Sequence, residues 1–368
     1  MKTIRRLIYG EVLYAVGFVT LGFLSLFFFF DFVEEVQAVG RYSAAGYRIV
    51  QALSFVALMI PSHLYELLPI AVLIGTIFVM ARLAQSSEFT ILRTSGLGPW
   101  RALRALLLLG LGFVLLTFAI GDYLSPPADR AAQLLKARYQ GSITVGQTGA
   151  WLKEQQTNAQ YAVNVSAMAP DGSMRGVRVF EFNNQGFLMS TLQAESAHFG
   201  ADDAWNLSRV SRTEFPPRGA DTARIDRAQL DSFRWPNQIS AEMVAAALLK
   251  PERMSTIDLF QYIQHLRANS QVAQRYEIEF WKKVFYPLSC LVMVVLALPF
   301  AYLHFRSGGI ATYVFGGVMA GISFFLLNNV FGYMGNLQNW QPWLTAALPG
   351  MIYLLLSLTA FGWLVLRR

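Results

Sequence analysis

The sequence predicts an α-helical membrane protein with six transmembrane helices and an all-β, jelly-roll-like domain inserted between helices three and four. Two observations carry this prediction. Hydrophobic residues make up 54% of the 368 residues and charged residues only 14%, whereas soluble domains are about 25% charged. Residues 125–280 hold 16 basic and 16 acidic residues, so the whole net charge of +7 lies in the flanking parts. The basic residues there lie at the ends of apolar runs, which argues against a nucleic-acid-binding protein and excludes a disordered one.

Six apolar runs are long enough to cross a hydrocarbon core about 30 Å thick. The first is too long for a signal peptide and has no small-residue cleavage site before Asp31, so we expect it to be retained. The third is expected to end at Ser125-Pro126-Pro127, because proline interrupts helices. The predicted spans are Val12–Phe30, Leu53–Leu83, Ala102–Tyr123, Val284–Leu303, Ile310–Tyr333 and Pro342–Leu366.

Between spans three and four the pattern changes to short segments of mixed polarity separated by turn residues such as Asp171-Gly172. Because no helical pattern lies between these segments, we expect an antiparallel sandwich or jelly roll. The predicted strands are Ala150–Glu154, Tyr161–Ser166, Gly176–Phe182, Leu188–His198, Trp205–Val210 and Ala223–Phe233.

A short amphipathic helix, about Ser255–Ala268, follows the strands, and Ser255 with Asp258 fits a capping box at its start. The predicted domains are therefore a helical part (residues 1–135, with a short helix near 84–98), a β domain (136–254), and a linker helix with the last three spans (255–368). Ten basic residues fall in segments on one side of the membrane and two in short loops on the other. This bias places both termini in the cytoplasm and the β domain outside it.

Sequence signatures of catalysis are scarce. The chain has no phosphate-binding loop, no His-Glu-x-x-His and no Gly-x-Ser-x-Gly motif. Its four histidines are scattered, and its one cysteine, Cys290, lies in an apolar run. We therefore expect no catalytic residue, no metal site and no cofactor on this chain. If transport requires ATP, another chain must hydrolyse it.

The segment between spans two and three is predicted to form a short helix that Gly96 terminates, with Glu88 in its first turn. Phe89 and Leu92 give it an apolar face, and Arg93 adds a basic group. From the residues alone, a docking element for a cytoplasmic motor and an ordinary interfacial helix are equally consistent with this pattern.

Four segments resemble those of one family of membrane proteins. They are 83–88 with 93–96, Gly121-Asp122-Tyr123-Leu124-Ser125-Pro126, Gly149-Ala150-Trp151-Leu152-Lys153, and Arg275-Tyr276 with Trp281 to Leu288. In this order and spacing they resemble the LptF/LptG lipopolysaccharide export permeases, and the LptG members more closely, over essentially the whole chain.

The resemblance implies a permease subunit of an ABC transporter in the bacterial inner membrane. It implies that the chain pairs with an LptF-like permease around a central cavity and that a dimeric cytoplasmic ATPase, LptB, drives the pair. LptC and an LptA-type periplasmic bridge are implied to receive the lipopolysaccharide, with ATP and magnesium bound by the ATPase. Glu88, Phe89, Leu92, Arg93 and Gly96 are the implied contacts with that ATPase.

The family uses basic residues near the ends of spans one and two to hold lipid phosphates, but this chain has Asp31 where LptG-like chains often have lysine. An ionisable group at membrane depth is a functional candidate. The candidate lipid-binding residues are Asp31, Glu34, Arg41, Arg48, His63, Lys282 and Lys283.

Span five contains Gly316, Gly317 and Gly321, a pattern that allows close helix approach. Packing within the subunit and a lateral gate against the first helix of the partner are both consistent with it. Two other functions remain open at this stage. A stand-alone ion-coupled transporter would need paired ionisable groups near the bilayer midplane, and a membrane-anchored envelope scaffold would leave six spans unexplained.

Overall fold

The structure is a computed structural model. It describes residues 2–86, 88, 91, 94, 96, 98–140, 149–156, 159–169, 171–200, 204–216, 224–237, 239–240, 243–244, 251–302 and 310–363. The chain forms two compact units. The helical unit comprises Met1–Glu35, Val56–Asp129 and Glu277–Arg368, and the β unit comprises Val36–Phe55 and Arg130–Tyr276. Each unit is described by itself below.

Among the described residues, five helices are long and apolar enough to span a membrane, and a sixth span is formed by two helical pieces bent by 47°. The helices are α1 (Lys2–Tyr42), α2 (Ile49–Gln85), α3 (Pro99–Ala119), α4 (Ser125–Gln140), α5 (Thr256–Ala268), α6 (Gln274–Phe285), α7 (Ser289–Ala297), α8 (Ile310–Leu337) and α9 (Pro342–Phe361). The bent span consists of α6, α7 and the 3₁₀ turn Leu298–Tyr302. The prediction of a helical membrane protein carrying an inserted all-β domain is confirmed.

The prediction that the third helix ends at Ser125-Pro126-Pro127 is wrong. A π-helical turn, Ile120–Leu124, follows α3 and leads directly into α4. Both prolines lie in the first turn of α4, where a missing N–H is tolerated. The Ser125 N–H bonds to the carbonyl of Ile120, five residues back. In the same register Pro126 would face the Gly121 carbonyl but has no hydrogen to donate, so that carbonyl is left for another donor.

The β unit contains six antiparallel strands in sequential order, which is a meander. They are β1 (Ala150–Gln155), β2 (Gln160–Met168), β3 (Met174–Phe182), β4 (Leu188–Phe199), β5 (Ala204–Glu214) and β6 (Asp226–Pro236). Each predicted strand has its counterpart. The expected jelly-roll connections are refined to a meander, because consecutive strands are neighbours and no Greek-key crossover lies among the described strands.

A crease crosses this sheet from β2 to β6. The ladder of β2 and β3 omits the pair Ser166–Gly176, and that of β3 and β4 omits the pair of Gly176 with Glu195. The next two ladders omit the pairs of Arg209 with Glu195 and with Asp231. These four interruptions therefore fall at the same level, and each of the five strands contributes one residue to the crease; the β3–β4 ladder has a separate register shift at Glu181/Phe182.

Backbone conformation explains the crease. Gly176 and Arg209 have φ of 60° and 54°, and Gly149, just before β1, has φ of 71°. In a strand, successive side chains point to opposite faces of the sheet. A residue with positive φ shifts this alternation by one residue, as a β-bulge does. In β3 the buried side chains are Met174 before the crease and Val177 after it, three residues on rather than two. The residues of β3 that are buried thereby change from one side of the alternation to the other at Gly176.

Arg209 should be the strained member of this row, because left-handed backbone costs a non-glycine residue about 1–2 kcal/mol. We expect Arg209→Gly to be more stable than Arg209→Ala by about 1 kcal/mol, since both variants lose the ion pair with Glu195 and only glycine relieves φ. Chemical unfolding of the β unit within the full chain measures the difference. Ser211 is not among the left-handed residues, so at this position the alanine variant should be more stable than the glycine variant. Equal stabilities at position 209 would contradict a strained crease.

The linker helix α5 is as the sequence predicts. The Ser255 side chain accepts a hydrogen bond from Asp258 N–H, and the Asp258 side chain accepts one from Ser255 N–H. Arg130 of α4 forms an ion pair with the same Asp258 carboxylate. Leu259, Tyr262, Ile263 and Leu266 form the buried stripe of the helix.

Candidate functional site

Four polar or aromatic positions on α2, between Ser62 and Glu66, connect α2 to other helices of the helical unit. The Ser62 hydroxyl donates to Asp129 Oδ1 at 2.8 Å and lies 2.6 Å from the Ser125 hydroxyl, both on α4. Asp129 is only 2% exposed. Because a buried carboxylate is costly without partners, this contact ties α2 firmly to α4.

The next residue, His63, binds α1. Its Nε2 lies 2.6 Å from Asp31 Oδ2, and the Phe27 ring lies 5.0 Å from the imidazole. Two predicted lipid-binding residues therefore partner each other. Glu34, another predicted residue on α1, is exposed, one turn beyond Asp31.

Lys283 donates a hydrogen bond to the Gly121 carbonyl, to which Pro126 cannot donate. Its Nζ donates to that oxygen at 3.0 Å and lies 5.6 Å from the centre of the Tyr65 ring. Lys283 is 9% exposed. In this structure the Lys283 ammonium is buried and hydrogen-bonded at the π turn, and its role as a phosphate ligand stays a prediction.

Tyr286 and Lys282 make further contacts in the same region of the helical unit. Tyr286 Oη donates to the Glu66 carbonyl at 2.5 Å, which joins α2 to the segment after α6. Lys282, one residue before Lys283, pairs with Glu279 at 2.7 Å and is only partly exposed. Its Nζ also lies against Gly332 of α8, where an added Cβ would be 2.8 Å away.

Arg41 and Arg48 are the predicted cations that remain exposed. They flank the turn between α1 and α2 in the β unit. The turn is held by Tyr47, which is buried against Tyr139 with ring centres 5.2 Å apart. The backbone N–H of Arg48 donates to Gln51 Oε1, so the Arg48 guanidinium group takes no part in that hydrogen bond.

The predicted gate glycines have different surroundings. A Cβ at Gly317 would lie 2.7 Å from Ile77 Cδ1, and one at Gly321 would lie 2.8 Å from Ile70 Cγ2. Both glycines therefore pack against α2 of the same chain, which supports packing within the subunit, and the gate against a partner helix stays a prediction. Gly316 has no atom within 4 Å of an added Cβ.

Large apolar side chains on α1 and α8 are left exposed. Only 22% of the most apolar stretch of α1 and 17% of that of α8 is buried, against 78% for α2. On α8 they include Phe315, Met319 and Leu326. In a membrane such faces meet acyl chains or another helix.

The predicted ATPase-coupling segment is described in part. Glu88 and Gly96 are exposed, and Gly96 has φ of 102°, the conformation that a helix-ending glycine adopts. Arg101 Nη1 donates to the Gly96 carbonyl at 3.0 Å. Phe89, Leu92 and Arg93 lie outside the described residues.

Known proteins resemble this chain along its whole length. The model of the family described as "Lipopolysaccharide export system permease LptF/LptG" matches residues 6–366. A curated relative from Escherichia coli K12, "Lipopolysaccharide export system permease protein LptG", is 28% identical over 363 residues, covering 98% of this chain and 97% of its own length. The protein of the same name from Haemophilus influenzae is 26% identical over 371 residues, covering 100% of this chain and 99% of its own.

The chain belongs to the LptF/LptG family. In this family member, three features of the candidate site went unpredicted. They are the His63–Asp31 pair, the hydrogen bond from Lys283 to the Gly121 carbonyl, and the Arg82–Glu11 ion pair at 2.6 Å between α2 and α1. For the two ion pairs the available signal was an acid and a base on neighbouring apolar helices, whereas the bond from Lys283 to a backbone carbonyl had no such signal.

Proposed function

We propose that this chain is the LptG-type permease subunit of an ABC transporter that extracts lipopolysaccharide from the inner membrane and passes it to a periplasmic bridge toward the outer membrane. The observation that carries the proposal is the family match over residues 6–366, which includes the helices and the β unit together. Relatives with this full architecture bear the name of a lipopolysaccharide export permease.

The proposed assembly follows from the family and from the charge bias. An LptF-like permease is the partner within the membrane, and a dimeric LptB ATPase binds ATP and magnesium on the cytoplasmic side. LptC and an LptA-type bridge accept the lipid. This chain lies in the inner membrane with both termini cytoplasmic and its β domain periplasmic, contributes no catalytic residue, and binds no cofactor of its own.

The contacts in the helical unit support a mechanism in which α2 is the central element. Its residues from Ser62 to Glu66 hold α1, α4 and the segment after α6, so these helices move together. The exposed apolar faces of α1 and α8 are the surfaces that meet the partner permease and the acyl chains. ATP-driven closure of the ATPase moves the segment around Glu88, and the attached helices narrow the cavity. The chain then contributes two conformations and no chemistry.

Lipid phosphates are proposed to contact Arg41 and Arg48, which carry exposed guanidinium groups. Arginine suits this role because its fork binds phosphate oxygens in pairs. The buried Lys283 is proposed to hold the π turn instead.

We expect Arg41→Ala/Arg48→Ala to weaken lipopolysaccharide binding about tenfold or more, since hydrogen bonds to charged groups contribute about 1.5–3 kcal/mol each. Photo-crosslinking of lipid to the purified assembly measures the loss. Arg178→Ala/Arg227→Ala, which removes two exposed arginines from the strands, is the charge-matched control. Unchanged crosslinking in the first variant would remove both residues from the lipid site.

The proposed function itself is tested by isolating the chain in mild detergent. We expect a second permease and a cytoplasmic ATPase to accompany it, with ATP hydrolysis lost when the ATPase alone is mutated. Recovery as a homogeneous homomer without ATPase activity would refute the proposal and favour the stand-alone transporter.

A further inference from the structure

A polar cavity of about 560 Å³ lies at one end of the β unit. Sites for small ligands have volumes of about 300–1,000 Å³. Four amide side chains line the cavity together with Ala268, the last residue of α5. Among the residues that the structure describes, no charged side chain takes part in the lining. The four amides are those of Gln155, Gln156, Gln160 and Asn184.

Hydrogen bonds hold the walls of this cavity in place. Gln156 N–H donates to the Ala159 carbonyl at 2.9 Å, in the connection between β1 and β2. Gln155 N–H donates to Asn269 Oδ1 at 2.8 Å, which anchors the end of α5 beside β1. The Asn183 side chain accepts two backbone N–H bonds in the turn between β3 and β4. A ligand therefore meets a site that is already formed, which lowers the entropic cost of binding.

Two of the amides are neighbours across a ladder. Gln155 of β1 pairs with Gln160 of β2, and Gln160 pairs in turn with Phe182 of β3. Directly paired residues share a face, with Cβ atoms about 5 Å apart. Two amides and an aromatic ring thus form a short row across three strands. In the described part of the chain, neither glutamine side chain hydrogen-bonds to the protein, so both can bond a ligand.

Aromatic side chains continue this face of the sheet. Alternate residues of a strand share a face, so Trp151 lies on the side of Gln155, and Phe180 on the side of Phe182. The rings of Trp151 and Phe180 stack with their centres 5.9 Å apart, and Trp151 is 51% exposed. We call Trp151, Gln155, Gln160, Phe180 and Phe182 the amide–aromatic face.

This combination of side chains fits a sugar. A sugar hydroxyl both donates and accepts hydrogen bonds, and an amide side chain offers an acceptor oxygen and two N–H donors. The apolar C–H face of a sugar ring packs against aromatic rings. An anionic ligand would instead require lysine or arginine in the lining. The one cation on β1, Lys153, lies outside the lining of the cavity.

We propose that the amide–aromatic face and its cavity bind a sugar, and that this sugar belongs to the saccharide part of lipopolysaccharide. Gln155 and Gln160 bond the hydroxyl groups, and Trp151 packs against the face of a sugar ring. The source of the sugar rests on the proposed function, whereas the site itself rests on the four amides and the aromatic rings.

The test uses the full chain in detergent and the lipid-free saccharide that mild acid releases from lipopolysaccharide. Saturation-transfer NMR follows the binding. We expect Gln155→Ala/Gln160→Ala to bind the saccharide about tenfold more weakly than the unaltered chain does, since two neutral hydrogen bonds are lost. The matched control is Gln193→Ala/Gln229→Ala, which removes exposed glutamines from β4 and β6 and should bind normally.

Two single variants test the position of the sugar. Trp151→Ala should lower the affinity about threefold through loss of the aromatic contact. If the double glutamine variant does not fold, Gln155→Ala alone removes an exposed side chain and should also lower the affinity about threefold. Maltoheptaose, a neutral oligosaccharide from another source, should bind at least tenfold more weakly than the released saccharide.

Several results would overturn the inference. The first is no binding of the saccharide by the unaltered chain, and the second is unchanged affinity in a folded glutamine variant. Loss of binding in Lys153→Ala or in high salt would reveal an anion site in place of a sugar site. Equal binding of maltoheptaose would overturn the assignment to lipopolysaccharide. Because this binding is measured without lipid, partner or ATP, its failure is distinguishable from failure of the proposed function, which the absence of an accompanying ATPase would show.

Discussion

Replacing Gly317 with leucine is expected to destabilise the helical unit by about 3 kcal/mol, because even a Cβ at this position would lie 2.7 Å from Ile77. Helices in a membrane associate through close contact of small residues, so a leucine here forces α8 away from α2. The free energy of unfolding in mixed detergent micelles measures the effect. A leucine at Gly321 should behave similarly, since Ile70 lies at 2.8 Å.

Gly316 provides the control for this prediction. It is the adjacent residue on α8, and nothing lies within 4 Å of an added Cβ. Gly316→Leu should therefore leave the stability of the chain unchanged. If it were as disruptive as Gly317→Leu, the packing of α8 against α2 would be wrong. A Gly316 variant that is stable but no longer captures the second permease would place the partner on this other face of α8.

Reversing the charge at Glu88 is expected to uncouple ATP hydrolysis from lipid release. Glu88 is exposed, so Glu88→Arg should leave folding intact. Truncating or opposing one partner of an interfacial charge pair costs about 2–5 kcal/mol, which predicts at least a tenfold loss of ATPase binding. The measurement is capture of the ATPase by the purified chain, together with lipid release per ATP hydrolysed.

The exposed Thr94 of the same segment supplies a control, and Thr94→Ala should retain both activities. Glu88→Gln separates charge from size. Normal capture and normal export by Glu88→Arg would show that the ATPase does not contact this residue.

The spans and strands could be predicted because each buries apolar residues whose spacing along the sequence is typical of a helix or a strand. The six strands and the α5 capping box depend on residues close in sequence. The boundaries were less predictable. The helix α1 extends from Lys2 to Tyr42, well beyond its apolar run, because polar residues continue a helix at no great cost. The Ser125-Pro126-Pro127 break misled the prediction because proline is also suited to a first helical turn.

For the polar contacts of the candidate site, the sequence predicts some of the residues that take part but not which residue contacts which. His63 and Asp31 were candidates, but their pairing depends on how α1 and α2 rotate against each other. Lys283 looked like a free cation, and its burial depends on a carbonyl released by a proline in another helix. The crease in the sheet was equally hidden, since arginine at position 209 gives no signal of left-handed backbone.

The central claim is that this chain moves lipopolysaccharide only as part of an assembly driven by a separate ATPase. Its most direct test reconstitutes the purified assembly with lipopolysaccharide in vesicles and follows ATP-dependent transfer to a soluble, photo-crosslinkable acceptor protein. We predict transfer that requires ATP and disappears when the ATPase subunit alone is inactivated. Transfer by this chain without the ATPase, or no transfer by the intact assembly, would contradict the account.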